Sequence, residues 1–350
     1  MASRRTVLKG LGSYLAYGGT AFSGYAFGVE PMWRLRVQPY RITPTGWPAN
    51  LRLRATVIAD LHAGAPQMSV ARIKQIVARA NDLEPDVHLL LGDYAAGHKW
   101  ITQPVHSDEW SAALGALVAP LGVHAVLGNH DWWDDYTAQA RGRGPVVGRK
   151  ALERNGIPVY ENDAVRLTKD GQPFWLAGLG DQLALFPRRR RLDLYPDADA
   201  TLLDRSAVSA SDIPNLPAPA KVMMGQRRIV GVDDLTATLA KITDDAPVIL
   251  MAHEPDIFPQ VPARVAVTLS GHTHGGQVRF LGYSPVVPSR YGRRYAYGHV
   301  IESREQIGLG LARQQPRHLV VSGGLGCSIM PVRFGVPPEI VLLDIGAAEA

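Results

Sequence analysis

Five stretches of the 350-residue chain end an apolar run on side chains that ligate metals or handle phosphate. They are "VIADLH", with Asp60 and His62; "LLLGDY", with Asp93; "VLGNHDWW", with Asn129, His130 and Asp131; "LMAHEP", with His253; and "LSGHTHGGQ", with His272 and His274. Imidazole nitrogens mixed with carboxylate and amide oxygens suit divalent transition ions. A glycine-rich turn carrying histidines could equally approach a phosphate, or simply reverse the chain. Taken singly each motif is weak, because a D-x-H triplet is common by chance. Five polar clusters, each at the end of an apolar run, are hard to explain as independent coincidences. In extended backbone, residues two apart face the same side, so His272 and His274 can both reach a strand-end site. The glycines around them let the chain turn without side-chain collision.

The elements that must position these groups are legible too. "LRATVIAD", "DVHLLLGD", "GVHAVLGNHD", "PVILMAHE" and "RVAVTLSGHTH" read as strands rich in Val, Leu and Ile. Between the first two, Val70, Ile73, Ile76, Val77 and Ala80 recur at helical spacing behind a Ser69 N-cap, with Pro85 beyond the end. "PFWLAGLG" and "EIVLLDI" supply further strands, so the class is α/β with helices covering buried sheets. Ligands of such sheets gather outside the carboxyl ends of the strands, where these polar clusters fall.

In this order the blocks "IADLHAG", "LLLGDY", "VLGNHDWW", "MAHEP" and "SGHTHGGQ" resemble the calcineurin-like metallophosphoesterases, from about Leu51 to Ile345. The closing "GGLGCSIMPVRFGVPPEIVLLDI" resembles the bacterial branch of exported or membrane-linked phosphodiesterases. The resemblance implies a four-layer sandwich of two mixed β-sheets flanked by helices. It also implies two divalent ions, Mn, Fe or Zn. Asp60, His62, Asp93 and His274 would hold one ion; Asp93, Asn129, His253 and His272 would hold the other, with Asp93 bridging. Two such ions bring four positive charges against the carboxylates of Asp60 and Asp93; a bridging hydroxide leaves the centre positive by about one, suited to an anionic phosphate. His130 would protonate the leaving oxygen, and Asp131 would orient its ring.

Other residues carry weaker signals. Arg290, Arg293 and Arg294 follow the histidine turn and could contact substrate phosphate or lie on a solvated surface. Trp132 and Trp133 read as packing first and as a platform beside the site second. His88, His98, His106, His124, His299 and His318 match none of the blocks, and Asp181 ends a strand without a metal role in the family pattern.

At 46% hydrophobic and 20% charged, the chain has enough apolar content for one large core. A net charge of +5 fits an anionic partner, and no aromatic-plus-basic repeat points to nucleic acid. The single cysteine, Cys327, excludes an intramolecular disulfide and reads as a small buried hydrophobe. At the N-terminus, "SRRTVLK" with Arg4 and Arg5 precedes an uncharged stretch from Leu11 to Val29. Residues 1–30 therefore read as a twin-arginine-like signal or a membrane anchor, 31–50 as a connector, and 51–345 as the metallophosphoesterase domain. Residues 182–230, with Arg188 to Arg191, read as an inserted loop.

The expected activity is metal-dependent hydrolysis of a phosphodiester or pyrophosphate, on UDP-2,3-diacylglucosamine-like lipid or an envelope phosphodiester. The expected partners are that substrate, possessing a lipid in one reading, and a membrane or the twin-arginine translocase. The expected location is the periplasm or cell envelope, or a membrane anchor. A non-catalytic, metal-stabilised envelope binding protein is the alternative. Amide hydrolysis of the metallo-β-lactamase kind requires an H-x-H-x-D-H cluster, which the chain lacks.

Overall fold

The computed structural model describes residues 19–187, 229–306 and 313–346. In chain order its main elements are β1 (Arg36–Ile42), β2 (Leu53–Ile58), α1 (Val70–Asn81), β3 (Val87–Leu90), α2 (Ser107–Leu114), β4 (Val123–Ala125), α3 (Asn129–Trp133) and α4 (Val147–Arg154). They continue with β5 (Asp163–Lys169), β6 (Gln172–Gly178), α5 (Leu235–Ala240), β7 (Val248–Met251), β8 (Val265–Ser270), β9 (Gly298–Gln306), β10 (Arg313–Val321) and β11 (Glu339–Ile345).

Two mixed sheets result. The first has the order β1-β11-β2-β3-β4, and the second β9-β10-β8-β7-β6-β5. β2, β3 and β4 run parallel, as do β6, β7, β8 and β10. The antiparallel members are β11 against β2, β5 against β6, and β9 against β10. The carboxyl ends of β2, β3, β4, β7 and β8 are thereby followed by the five polar clusters read from the sequence.

Side-chain alternation explains the layering. Val57 and Leu89 of the first sheet face Leu176, Ile249, Met251 and Leu269 of the second, in one apolar inter-sheet core. The neighbouring Ile58 and Leu90 point the other way, onto Ile73, Ile76 and Val77 of α1, Trp110 and Leu114 of α2, and Leu152 of α4. On the far side, Val248, Leu250 and Leu319 pack with Ile257 and Phe258 of a short 3₁₀ segment, and Leu235 and Leu239 of α5 cover that cluster. These three cores fill a helix-sheet-sheet-helix stack. α1 begins as its sequence dictates, with the Ser69 hydroxyl accepting from the Arg72 N–H at 3.3 Å.

The stretch expected as a connector, 31–50, contributes β1 at the edge of the first sheet. An edge is where a strand containing Pro39 loses least from the missing N–H. Upstream, residues 19–33 are helical and lie against the C-terminal segment, where the Arg333 N–H donates to the Ala26 carbonyl and the Val336 N–H to Glu30. No helix among the described residues is long and apolar enough to cross a membrane. Arg4, Arg5 and Arg188 to Arg191 lie outside the described residues; of the 182–230 stretch, Leu185 and Val230 pair at its base.

Candidate metal centre

The backbone leaves each strand abruptly. Asp60, His62, Asp93, His272 and His274 have φ values of 53°, 45°, 58°, 65° and 51°, in the left-handed region that non-glycine residues rarely enter. The region concentrates at functional sites because the surrounding structure must hold it there. Here the hold is visible: the Asp60 N–H donates to the Gly92 carbonyl, and the His62 N–H to the Asp93 carbonyl. The His272 N–H donates to Asp60 Oδ1 at 2.8 Å, and the His130 N–H to Asp93 Oδ1 at 2.8 Å. Glycine makes room for the carboxylates. A Cβ on Gly128 would sit 2.3 Å from Asp93 Oδ1, and one on Gly271 would sit 2.6 Å from Asp60 Oδ2.

The side chains converge in two main groups and a third that overlaps both. Asp60, His62 and His274 bring donor atoms together in one, Asp93, His253 and His272 in the other, and His62, Asp93 and His130 form the third. Asp93 Oδ2 lies 3.5 Å from His62 Nε2 and 3.2 Å from His253 Nε2, so a single carboxylate oxygen faces histidines of both groups. Asn129 joins the second group, with its Oδ1 2.9 Å from His272 Nδ1.

The chemistry of this donor set fits metal ions. His62 Nδ1 lies 2.9 Å from the Ala95 carbonyl and His253 Nδ1 lies 2.7 Å from that of Leu91; a carbonyl can only accept, so each Nδ1 carries a proton and, in the neutral ring, Nε2 is the atom with a lone pair for a metal. Asp60 Oδ2 and His253 Nε2 are buried without a hydrogen-bond partner. The His62 and His274 Nε2 atoms stand 3.0 Å apart, about the separation of two nitrogens at ~2.1 Å from one ion at a right angle. Two such orphaned atoms among seven buried or half-buried ligand side chains are costly unless a cation satisfies them.

Electrostatics divide the ligands: burial opposes charge on His253, yet the Asp93 carboxylate beside it holds that imidazole well above its ordinary value, whereas burial dominates at Asp60, His62 and His274. Burial pushes the Asp60 carboxyl up to about 7, against the opposing pull of His253. Burial likewise lowers His62 to about 3 and takes His274 well below its ordinary value, favouring the neutral imidazoles that metals require. Burial opposes charge on Asp93, yet His253 and His130 together hold its carboxyl well below the usual range.

His130 stands at the edge of the cluster, its ring 4.9 Å from that of His62 and its Nε2 3.4 Å from Ser328 Oγ. Asp131 makes no hydrogen bond to the His130 ring, in place of the direct pairing expected from the sequence. Both Asp131 oxygens are taken by backbone: Oδ2 accepts from Asp93 N and Gly128 N, and Oδ1 from Tyr94 N and Ala95 N, at 2.9 to 3.2 Å. Asp131 is a buried clamp that ties the turn after β3 to the turn after β4. The tryptophans divide: Trp132 is buried in the helix-side core, while the Trp133 ring lies 5.2 Å from that of His130 and stacks on Phe186.

Of the arginines expected near substrate phosphate, two are engaged by carboxylates. Arg290 binds Asp256, Arg294 binds Glu302, and Arg293 lies over the Tyr283 ring. Guanidiniums gain from half-buried carboxylates nearby, and no local pattern marks where Asp256 and Glu302 fall. The structure adds Glu254 and Arg333, which the sequence reading missed, and brings in Asp181, to which that reading gave no metal role. Buried Asp181 and Glu254 sit beside His253, each with an unpartnered oxygen. Arg333 is fully buried, with Nη2 3.2 Å from His274 Nδ1 and its other N–H groups on the carbonyls of Gly323, Gly326 and Val336. A lone arginine within the apolar "SIMPVRFGVPP" was the available signal. Cys327 is buried as expected.

Two sheets back to back, with a histidine-aspartate cluster at their strand ends, define a metallophosphoesterase, a hydrolase of phosphoric esters. The calcineurin-like phosphoesterase family model matches residues 53–276, and the chain belongs to that family. It is 25% identical to the uncharacterized metallophosphoesterase YkuE of Bacillus subtilis, over 98% of this chain and 97% of that one. It is 26% identical to the UDP-2,3-diacylglucosamine pyrophosphatase LpxG of Chlamydia muridarum, over 83% of each chain. A Danio rerio transmembrane protein with a metallophosphoesterase domain is 28% identical, over 65% of this chain and 41% of that one.

The clamp assigned to Asp131 sets an expectation for stability. Asp131→Asn turns an NH₂ toward backbone N–H donors, and should cost about 3 kcal/mol. Urea unfolding checks this; an unchanged midpoint with an unchanged slope would remove the clamp.

Proposed function

We propose that the chain hydrolyses a phosphodiester or pyrophosphate bond of a lipid-linked substrate, using two divalent transition ions. Asp60, His62, Asp93 and His274 would hold one ion, and Asp93, Asn129, His253 and His272 the other. The observation that carries this reading is Asp93 Oδ2 lying within 3.5 Å of His62 Nε2 and 3.2 Å of His253 Nε2, as a carboxylate shared between two ligand sets would. When bound, such ions supply Lewis-acid pull on the phosphoryl oxygens and make water a competent nucleophile at neutral pH. With only Asp60 and Asp93 anionic among the seven ligands, the loaded centre favours an anionic phosphoryl group.

The chain's own residues supply the rest. His130 is held by its N–H on Asp93 Oδ1, which sets its ring at the open side of the cluster, within reach of a leaving-group oxygen. There the imidazolium can give up its proton as the ester bond breaks. Trp133 and Phe186 wall that side, limiting the water that reaches the departing group. The lipid-linked substrate class is supported by the relative named as a UDP-2,3-diacylglucosamine pyrophosphatase, and an envelope phosphodiester shares its chemistry.

Loading the purified protein with Mn and offering it p-nitrophenyl phosphate, bis-p-nitrophenyl phosphate and UDP-2,3-diacylglucosamine tests the reading. Faster cleavage of the diester or the pyrophosphate than of the monoester is expected; cleavage of the monoester alone would contradict it. His130→Ala should lower kcat by about a hundred- to ten-thousandfold while elemental analysis still finds two ions per chain. Loss of an ion would make His130 a ligand instead.

A further inference from the structure

Four segments around the mouth of the cluster contain no carboxylate: 19–29, 94–107, 271–301 and 322–338. The fold joins them into one surface. Gly97 pairs with Ser328, the Ile329 N–H donates to the Gly97 carbonyl, and Gln277 Nε2 donates to the Ser328 carbonyl at 2.8 Å. Val278 pairs with Phe334, whose ring meets those of Phe22 at 4.7 Å and Phe280 at 4.6 Å. The same surface opens on the site, since Ser328 Oγ approaches His130 Nε2 at 3.4 Å.

Its outward side chains are large and apolar: Trp100, Leu281, Tyr283, Val286, Ile329 and Met330 are all exposed. Two of them are doubly unfavourable in water. Leu281 is fully exposed at φ 47°, and Ile329 is 73% exposed at φ 66°. Left-handed backbone is a poor conformation for leucine and worse for β-branched isoleucine, and no burial in the folded chain offsets it. Cations lie among them on aromatic faces: Lys99 over Trp100 at 5.4 Å, Arg293 over Tyr283 at 4.6 Å, and Arg279 over Tyr297 at 5.1 Å. Among the described residues, none of these three cations has a carboxylate partner. Apolar tips, interfacial aromatics and basic groups without acidic ones are the composition that suits the boundary between anionic headgroups and acyl chains.

We propose that this surface docks on an anionic lipid bilayer, with Leu281 and Ile329 entering the acyl boundary and Lys99, Arg279 and Arg293 meeting lipid phosphates. Docked so, the mouth of the metal cluster opens at headgroup depth, where a lipid-borne phosphate ester presents its scissile bond. That last consequence rests on the lipid-linked substrate proposed above; the docking does not.

Sedimentation of the full chain with vesicles of phosphatidylcholine, with and without phosphatidylglycerol, tests the docking. Binding should require phosphatidylglycerol and weaken as salt is raised. The double variant Leu281→Asp, Ile329→Asp should bind at least about tenfold more weakly. Aspartate tolerates left-handed backbone better than either native residue, so the fold should persist, and cleavage of soluble bis-p-nitrophenyl phosphate should match wild type. Arg279→Gln should weaken vesicle binding roughly fivefold. Wild-type binding by the double variant would overturn the proposal and move membrane attachment elsewhere in the chain. A wild-type dimer that the double variant dissolves, with no vesicle binding by either, would overturn it in favour of self-association. A chain that docks but cleaves no lipid phosphoester supports the docking and removes only the substrate reading.

Discussion

Everything at the strand ends depends on backbone held where side chains normally forbid it. Asp60, His62, Asp93, His272 and His274 each turn the chain in the left-handed region, immediately after a strand stops. The bend is what lets parallel strands of both sheets aim donors at one point instead of along their own axes. It costs energy at each residue, of order 1–3 kcal/mol. The costs are met by the hydrogen bonds that cross between turns, from Asp60 to Gly92, His62 to Asp93, His272 to Asp60 and His130 to Asp93. A turn that lost its neighbour would have no reason to keep its shape, so the cluster holds together as a unit.

Asp131 is the firmest of these ties and carries a lesson about reading motifs. In "GNHD" the acid beside a histidine invites pairing with that histidine. In the fold its carboxylate faces backward and gathers N–H groups of Gly128, Asp93, Tyr94 and Ala95. A buried carboxylate needs several donors, and the start of a short helix beside a neighbouring turn offers them with no side chain required. The result is rigidity for the two turns that supply Asp93 and Asn129. That rigidity also fixes the His130 ring, through the backbone of α3 and its N–H on Asp93 rather than by a contact to the ring.

Much of this architecture was legible because it rests on local patterns. The period-two and apolar runs give the strands, the Ser69 cap and the spacing of Ile73, Ile76 and Val77 give α1, and five strand ends give the candidate donors. What was not legible depends on contacts distant in sequence. The edge strand β1 exists only because β11, some three hundred residues away, offers it a partner. Arg333 reaches His274 only because the C-terminal segment returns over the histidine turn. The engagement of Arg290 and Arg294 with Asp256 and Glu302 is likewise set by loop packing rather than by motif. The surface formed by 19–29, 94–107, 271–301 and 322–338 is invisible as a stretch of sequence, since the four segments meet only in the fold.

In the proposed centre, assembled from both sheets, Asp93 is shared between two ions. Anomalous diffraction from crystals of the Mn-loaded protein measures this most directly. Two peaks are expected, one within bonding distance of Asp60, His62 and His274, the other of Asn129, His253 and His272, with Asp93 reaching both. A single peak, or two peaks of which Asp93 touches one alone, would contradict it.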